Sequence, residues 1–163
     1  MLIVQKFGGS SVADAEKINR VAGIIADTYA DGNDVVVVLS AQGDTTDDLI
    51  AKAAEINPKA SKREMDVLLS TGEQISVALM SMALERMGLP VVSLTGWQVQ
   101  MRTNFDYSNA RILSCSTERI QQELDKRRIV IVTGFQGVKG MGDITTLGRG
   151  GSDTSAVAIA AVL

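Results

Sequence analysis

An α/β architecture, with a mostly parallel sheet covered by helices on both faces, follows from three features of the chain. Short β-branched apolar runs recur along it, apolar residues at helical spacing fill the stretches between them, and turn residues mark each change. At 163 residues the chain suits one domain of ordinary size. The first run, Leu2 to Gln5, and the second, Val35 to Leu39, read as strands buried on both faces. Between them Ile18, Val21, Ala22, Ile25, Ala26 and Tyr29 fall on one helix face, which Gly32 closes. Strand, helix, strand in that order is a βαβ unit. Helices are predicted next from Thr46 to Ile56, stopped before Pro58, from Lys62 to Ser70, and from Glu73 to Met87 with Gly88 after it. Pro90 to Leu94 is a third strand, and a helix from Glu118 to Arg128 feeds a fourth, Ile129 to Thr133. The last stretch, Thr154 to Leu163, is a strongly apolar helical pattern with no polar last turn or cap. We expect a chain cut within or just after a buried helix, with Val157, Ile159, Ala160 and Leu163 under-covered and prone to self-association. A C-terminal helix packed on the sheet is the alternative. No repeat, low-complexity tract or linker divides residues 1–163, which read as one unit.

Composition then narrows the chemistry. With 45% apolar and 21% charged residues the chain is globular rather than disordered. Sixteen basic and 19 acidic residues leave a net charge of −3, with no dense Lys/Arg cluster, so no nucleic-acid partner is expected. The absence of histidine removes Ser-His and Cys-His nucleophile pairs and His-ligated zinc. Cys115, the single cysteine, allows no intrachain disulfide and suits a reducing compartment. The start lacks a basic n-region and a long apolar stretch, and no apolar run approaches the ~20 residues of a membrane span. A soluble, cytoplasmic protein without a membrane partner is the expectation.

Ligands of open α/β sheets bind beyond the carboxyl ends of the strands, so the residues that follow each apolar run carry the functional signal. After the first, Lys6-Phe7-Gly8-Gly9-Ser10-Ser11-Val12 offers a cation, close backbone approach at the glycines and a helix N-terminus, which together make a phosphate cradle. A tight strand-to-helix connection would explain the same glycines. Neither G-x-x-x-x-G-K-[ST] nor G-x-G-x-x-G is present, so any nucleotide site is of another type. After the second run, Ser40-Ala41-Gln42-Gly43-Asp44-Thr45-Thr46-Asp47 suits a polar ligand, although Thr46, Asp47 and Asp48 also make an ordinary helix start. Ser70-Thr71-Gly72-Glu73 separates two helices; Gly72 accounts for the break, and Glu73 is either functional or a first-turn carboxylate. The most specific segment is Thr145 to Ala156, where Gly148, Arg149, Gly150, Gly151, Ser152 and Asp153 precede an apolar helix. It supplies a second anion-binding N-terminus and a guanidinium able to grip a carboxylate. Met65, Met80, Met82, Met87 and Trp97 read as packing residues, Cys115 as an inert small hydrophobe, and Asp125 to Arg128 as a solvated helix end.

In this order and spacing, Lys6-Phe7-Gly8-Gly9-Ser10-Ser11-Val12, Ser40 to Asp47, Thr71-Gly72-Glu73-Gln74 and Gly148-Arg149-Gly150-Gly151-Ser152-Asp153 resemble the aspartokinases of the amino-acid kinase family. The resemblance covers essentially the whole chain. It implies a three-layer α/β/α sandwich, C-terminally incomplete, that phosphorylates the β-carboxylate of L-aspartate with ATP and Mg²⁺, the first step toward lysine, threonine, methionine and isoleucine. Carried over by position, it makes Lys6 the stabiliser of the transferring phosphoryl group, gives Phe7, Gly8 and Gly9 the nucleotide phosphates, and has Asp153 orient Mg-ATP without being a direct ligand. Glu73 would pair with the substrate amine and Arg149 with its α-carboxylate, with Ser40, Thr46, Gly150, Gly151 and Ser152 completing the pocket. A homo-oligomer is implied for the full-length protein. The sequence departs from the family at Gly96 to Thr103, which is bulkier, and at Tyr107, where many members carry histidine. The resemblance stops at Leu163, before a further nucleotide-binding segment and the C-terminal regulatory ACT domains. Acetylglutamate or glutamate kinase, or a non-catalytic ligand-binding module, are the alternatives.

Overall fold

A computed structural model describes residues 1–163. In chain order the elements are β1 (Leu2–Phe7), a 3-10 turn (Gly9–Val12), α1 (Ala15–Ala30), β2 (Asp34–Leu39), α2 (Thr45–Ile56), α3 (Lys62–Leu69), α4 (Thr71–Arg86), β3 (Val91–Leu94), β4 (Arg102–Thr103), β5 (Ile112–Ser114), α5 (Glu118–Asp125), β6 (Ile129–Thr133), β7 (Gln136–Lys139), β8 (Asp143–Thr146) and α6 (Gly151–Val162). The four apolar runs form one sheet in the order β1-β2-β6-β3, parallel throughout. Side chains alternate across a strand, and here both faces are apolar. Val35, Val37, Leu39, Ile129 and Ile131 pack with Ile18, Val21 and Ile25 of α1 and Val77, Met80 and Leu84 of α4. Val36, Val38, Val130 and Val132 face the other way, against Ile120 and Leu124 of α5 and Ile159 of α6. Helices therefore cover both faces, and the three-layer α/β/α expectation holds.

The sequence reading foresaw four strands, but eight are present. β4, β5, β7 and β8 form a second, mixed sheet in the order β5-β4-β7-β8, in which only β4 and β7 run parallel. These strands have two to four residues and bury Thr103, Gln136, Lys139, Thr145 and Thr146, so they carry no apolar run to betray them. The second sheet is reached directly from the first: β6 passes through Gly134 and Phe135, the latter in the left-handed region at φ 69°, into β7.

Other expectations need correction. Gly72 does not break the helix between the two predicted segments. Ser70 stays in the right-handed helical region between α3 and α4, and Gly72 lies in the first turn of α4, where an added Cβ would sit 2.9 Å from the Ala41 Cβ. The glycine is there for close approach. As a result Lys62–Arg86 is a near-continuous helical stretch of 25 residues, long and apolar enough to cross a membrane, contrary to the expectation that no run came close; half of its most apolar part is buried inside this protein. Met80 is core, whereas Met82 and Met87 are exposed. Ile159 is wholly buried rather than under-covered, while Val157 on the same helix is 69% exposed. Finally, α5 ends at Asp125, and its cationic tail is not simply solvated: Lys126 and Arg128 pair with buried Glu123, which Arg119 of the first turn also meets, and Arg127 pairs with Asp34.

Candidate functional site

Beyond the carboxyl ends of β1, β2 and β6 lies an open cleft of about 470 Å³, the position at which open parallel sheets bind ligands. Lys6, the penultimate residue of β1, and Asp153, in the first turn of α6, reach its edge from opposite ends of the chain. Their Nζ and Oδ1 atoms are 2.8 Å apart, with the Asp153 side chain 70% exposed. Gly150 begins α6 at φ 76°, a backbone state that glycine accepts without strain. The first amides of α6 have no partner within the helix, and Gly150, Gly151, Ser152 and Asp153 all line the cleft, so this N-terminus is open to an anion. Arg149 lines it too; the guanidinium is exposed and pairs with no carboxylate of the protein.

The first cradle differs from expectation. Gly8 and Gly9 lead into the 3-10 turn, not into α1, and the α1 N-terminus is already capped by Asp14, which accepts from the Lys17 amide at 2.9 Å. No helix dipole is free there, so the positive potential at this end comes from Lys6 itself. Gly9 lines the cleft, and Gly8 lies beside the Lys6 amine, since an added Cβ would stand 3.6 Å from Nζ. The Phe7 side chain does neither; it packs against the core between the sheet and α1 and α4.

Ser40, Thr46 and Glu73 also line the cleft. Glu73 is only 3% exposed. Its Oε1 accepts from the Ala41 amide at 3.3 Å, a contact that the close approach at Gly72 permits, and its Oε2 has no partner in the protein. Burial drives its pKa up to about 7 against the smaller opposing pull of its own and the Ala41 backbone amides. A buried carboxylate with one unsatisfied oxygen on a cleft is completed by a cationic donor such as an ammonium group. The cleft thus gathers the cation of Lys6, the open N-terminus of α6, the unsatisfied carboxylate of Glu73 and the unpaired guanidinium of Arg149.

The sequence reading missed three residues that shape this cleft. Phe135 and Ser108 line it, and Asp66, buried beneath, holds Ser108 and Thr146. A signal for Asp66 existed: it sits among apolar neighbours in Met65-Asp66-Val67-Leu68-Leu69, where a carboxylate is out of place unless paired. Ser108 and Phe135 carried none, because both lie in irregular chain. Tyr107, one of the family departures, donates its hydroxyl to Asp143 at 3.1 Å; with Arg63, this holds the Asp143 carboxyl below the usual range.

Fold and site together define a class, the three-layer α/β/α proteins that hold small charged ligands at the ends of a parallel sheet. The pattern of the amino acid kinase family matches residues 1–163, and the chain belongs to that family. It is 57% identical over 162 residues to the aspartokinase of Geobacillus stearothermophilus, an alignment that takes in 99% of this chain and 40% of that protein. Among solved structures it resembles the aspartate kinase from Synechocystis, with a TM-score of 0.84 and 50% identity over 99% of this chain and 26% of the other. The E. coli aspartokinase III structure in complex with aspartate and ADP aligns with a TM-score of 0.84 and 26% identity, over 98% of this chain and 46% of that one. The chain spans about two fifths of the length of the relative from Geobacillus stearothermophilus.

Proposed function

We propose that this chain is the N-terminal portion of an aspartate kinase catalytic domain, which transfers the γ-phosphoryl group of ATP to the β-carboxylate of L-aspartate. The observation that carries the reading is that the Lys6–Asp153 pair and the unsatisfied carboxylate of Glu73 line one cleft. Strong similarity to aspartokinases supports it. A free ammonium completes Glu73, and a carboxylate suits the unpaired guanidinium of Arg149 in bidentate form. N-acetylglutamate, lacking a free amine, leaves Glu73 unsatisfied, which disfavours that acceptor.

The chemistry fits a chain without histidine. A carboxylate acceptor is ionised at neutral pH and needs no general base, so catalysis reduces to positioning two anions and neutralising charge as the phosphoryl group moves. Lys6 meets the transferring group with a full charge, while the α6 amides and Gly9 offer backbone donors to phosphate oxygens. Ser40, Thr46 and Ser152 bond the remaining polar atoms of the acceptor. Mg²⁺ is bound by one or two carboxylates together with substrate phosphates, so exposed Asp153 is suited to orient the cation carried by ATP, which supplies charge neutralisation. The same reading places the chain in cytoplasmic synthesis of aspartate-derived amino acids and assigns the full-length protein to a homo-oligomer.

Titration with L-aspartate, L-glutamate and N-acetyl-L-glutamate, followed by amide chemical shifts around Glu73 and Arg149, tests the reading. Preference for L-aspartate is expected; preference for either of the others overturns it. In the full-length enzyme, Lys6→Ala lowers kcat by about 100-fold or more in a hydroxamate assay of the acyl phosphate, because the interaction it removes is concentrated in the transition state. Arg149→Ala chiefly raises KM for aspartate, and an unchanged KM would show that another group holds the α-carboxylate.

A further inference from the structure

Asp66 lies on α3 and is wholly buried, yet it faces neither a lysine nor an arginine. Four donors meet its carboxylate instead. Oδ1 accepts from the hydroxyls of Ser108, at 2.9 Å, and Thr146, at 2.8 Å. Oδ2 accepts from the backbone amides of the same two residues, both at 2.9 Å. The match of an acceptor-only group to two hydroxyls and two amides is complete, which is what a carboxylate removed from water demands. The two residues it joins belong to different segments: Ser108 to the loop between β4 and β5, Thr146 to the end of β8.

Both segments form the wall of the cleft. Ser108 and Thr146 line it, and Thr146 runs through Leu147 and Gly148 into Arg149. The loop is closed against the same strand end, where the Ala110 amide donates to the Thr146 carbonyl at 3.1 Å. Ser108 sits at φ 64°, a backbone state disfavoured for serine, and its amide and hydroxyl both end on Asp66. Nothing else in the loop bonds Ser108 so directly: the Lys139 amine holds Phe105 and Asp143 holds Tyr107, each on the side chain or carbonyl of its own residue.

We infer that Asp66 is a positioning residue for acceptor binding: from beneath the cleft it clamps the Ser108 loop to the end of β8 and so sets the place from which Arg149 reaches the substrate carboxylate. The inference rests on the assignment of L-aspartate to this cleft. Asp66 touches no substrate; it acts through Ser108, Thr146 and the three-residue lead to Arg149.

Asp66→Asn tests this with little change of shape: it removes the charge and turns one acceptor oxygen into a donor, so the four bonds donated by Ser108 and Thr146 cannot all be kept. Ser108→Ala, which removes one donor and leaves the charge, is the milder companion. Titration of L-aspartate into the 163-residue chain, read by amide chemical shifts, is combined with amide hydrogen exchange at Ser108 and Thr146 and with thermal melting. We expect Asp66→Asn to weaken aspartate binding about tenfold and Ser108→Ala about threefold, with exchange at Ser108 quickened in step. Asp66→Asn that melts earlier but binds L-aspartate as tightly as the parent chain reduces the residue to a structural role and overturns the inference. A parent chain that binds no L-aspartate, with Ser108 and Thr146 still protected, overturns instead the substrate assignment on which the inference rests.

Discussion

Every residue of β2 from Val35 to Leu39 is buried and apolar, whereas β7 and β8 bury Gln136, Lys139, Thr145 and Thr146. The parallel sheet is held by area: its strands present branched side chains to helices on both faces, and that attraction is non-directional. The mixed sheet is held by individual bonds. Gln136 alone donates to the Ser70 carbonyl at 2.6 Å and accepts from the Gly96 amide at 2.9 Å and the Thr133 hydroxyl at 2.6 Å, so it joins the α3–α4 junction to the ends of β3 and β6. Thr103 and Thr145 share a further bond of 2.7 Å between strands. A scaffold tolerates exchange of one apolar side chain for another of like volume; a hydrogen-bonded wall does not, because each lost partner leaves a buried polar group unsatisfied. The cleft lies where the two meet, with rigid strand ends on one side and directional bonds on the other.

The sharpest break in this contrast is a cavity in the parallel sheet. Ile131→Ala, at a fully buried position on β6, should cost about 4 kcal/mol in urea-induced unfolding, whereas Ile131→Val should cost about 1 kcal/mol. If the truncation cost no more than the conservative change, packing would not be what holds that sheet.

The seam is tested by pH. Glu73 titrates near 7 in the folded chain against about 4.5 when exposed. The folded state therefore holds a proton that the unfolded chain has released, and stability from this group, present below about 4.5, is lost as pH rises toward 7. The loss amounts to about 3 kcal/mol across that window and should vanish in Glu73→Gln, as read from unfolding at successive pH values. An ammonium ligand favours the ionised form, so L-aspartate should bind more tightly as pH rises from 6 to 8, and Glu73→Gln should flatten that profile. A flat profile in the parent chain would place the amine elsewhere.

A smaller effect probes the mixed sheet. Thr103→Val keeps the shape but strands the Thr145 hydroxyl, at a cost of about 1–2 kcal/mol, and amide exchange should rise in β7 and β8 before it does in β2 or β6. Uniform exchange through both sheets would show that they open as one unit. Smallest of all, Met82→Gln on the exposed face of α4, 59% exposed, should change stability by less than about 0.5 kcal/mol.

The two sheets also differ in how openly the sequence announces them. Leu2, Val35, Pro90 and Ile129 each begin or adjoin a run that only a buried strand explains, and all four strands appeared where those runs stand, with ends shifted by two residues at most. The mixed sheet left no such mark, since Arg102–Thr103 and Asp143–Thr146 read like loop. The same division runs through the cleft. Lys6, Arg149 and Asp153 stood out as charges next to glycines at strand and helix ends, whereas Glu73 also fitted a first-turn carboxylate and was singled out by the family resemblance. Ser108 and Phe135 did not stand out, and the apolar setting of Asp66 showed only that it needed partners, because their place depends on partners 20 to 80 residues away.

Taken by itself, the order of residues settled the layer architecture, the four parallel strands and the charged groups at their ends, because burial of apolar runs and the chemistry of strand ends are local properties of a chain. Only the folded molecule decided that Lys6 and Asp153 lie 2.8 Å apart, that Glu73 is sealed from water with one oxygen unpaired, and that a buried aspartate ties two distant segments into one wall. Those facts depend on distance and dielectric, which arise when segments remote in sequence share one small volume and water has been driven out from between them.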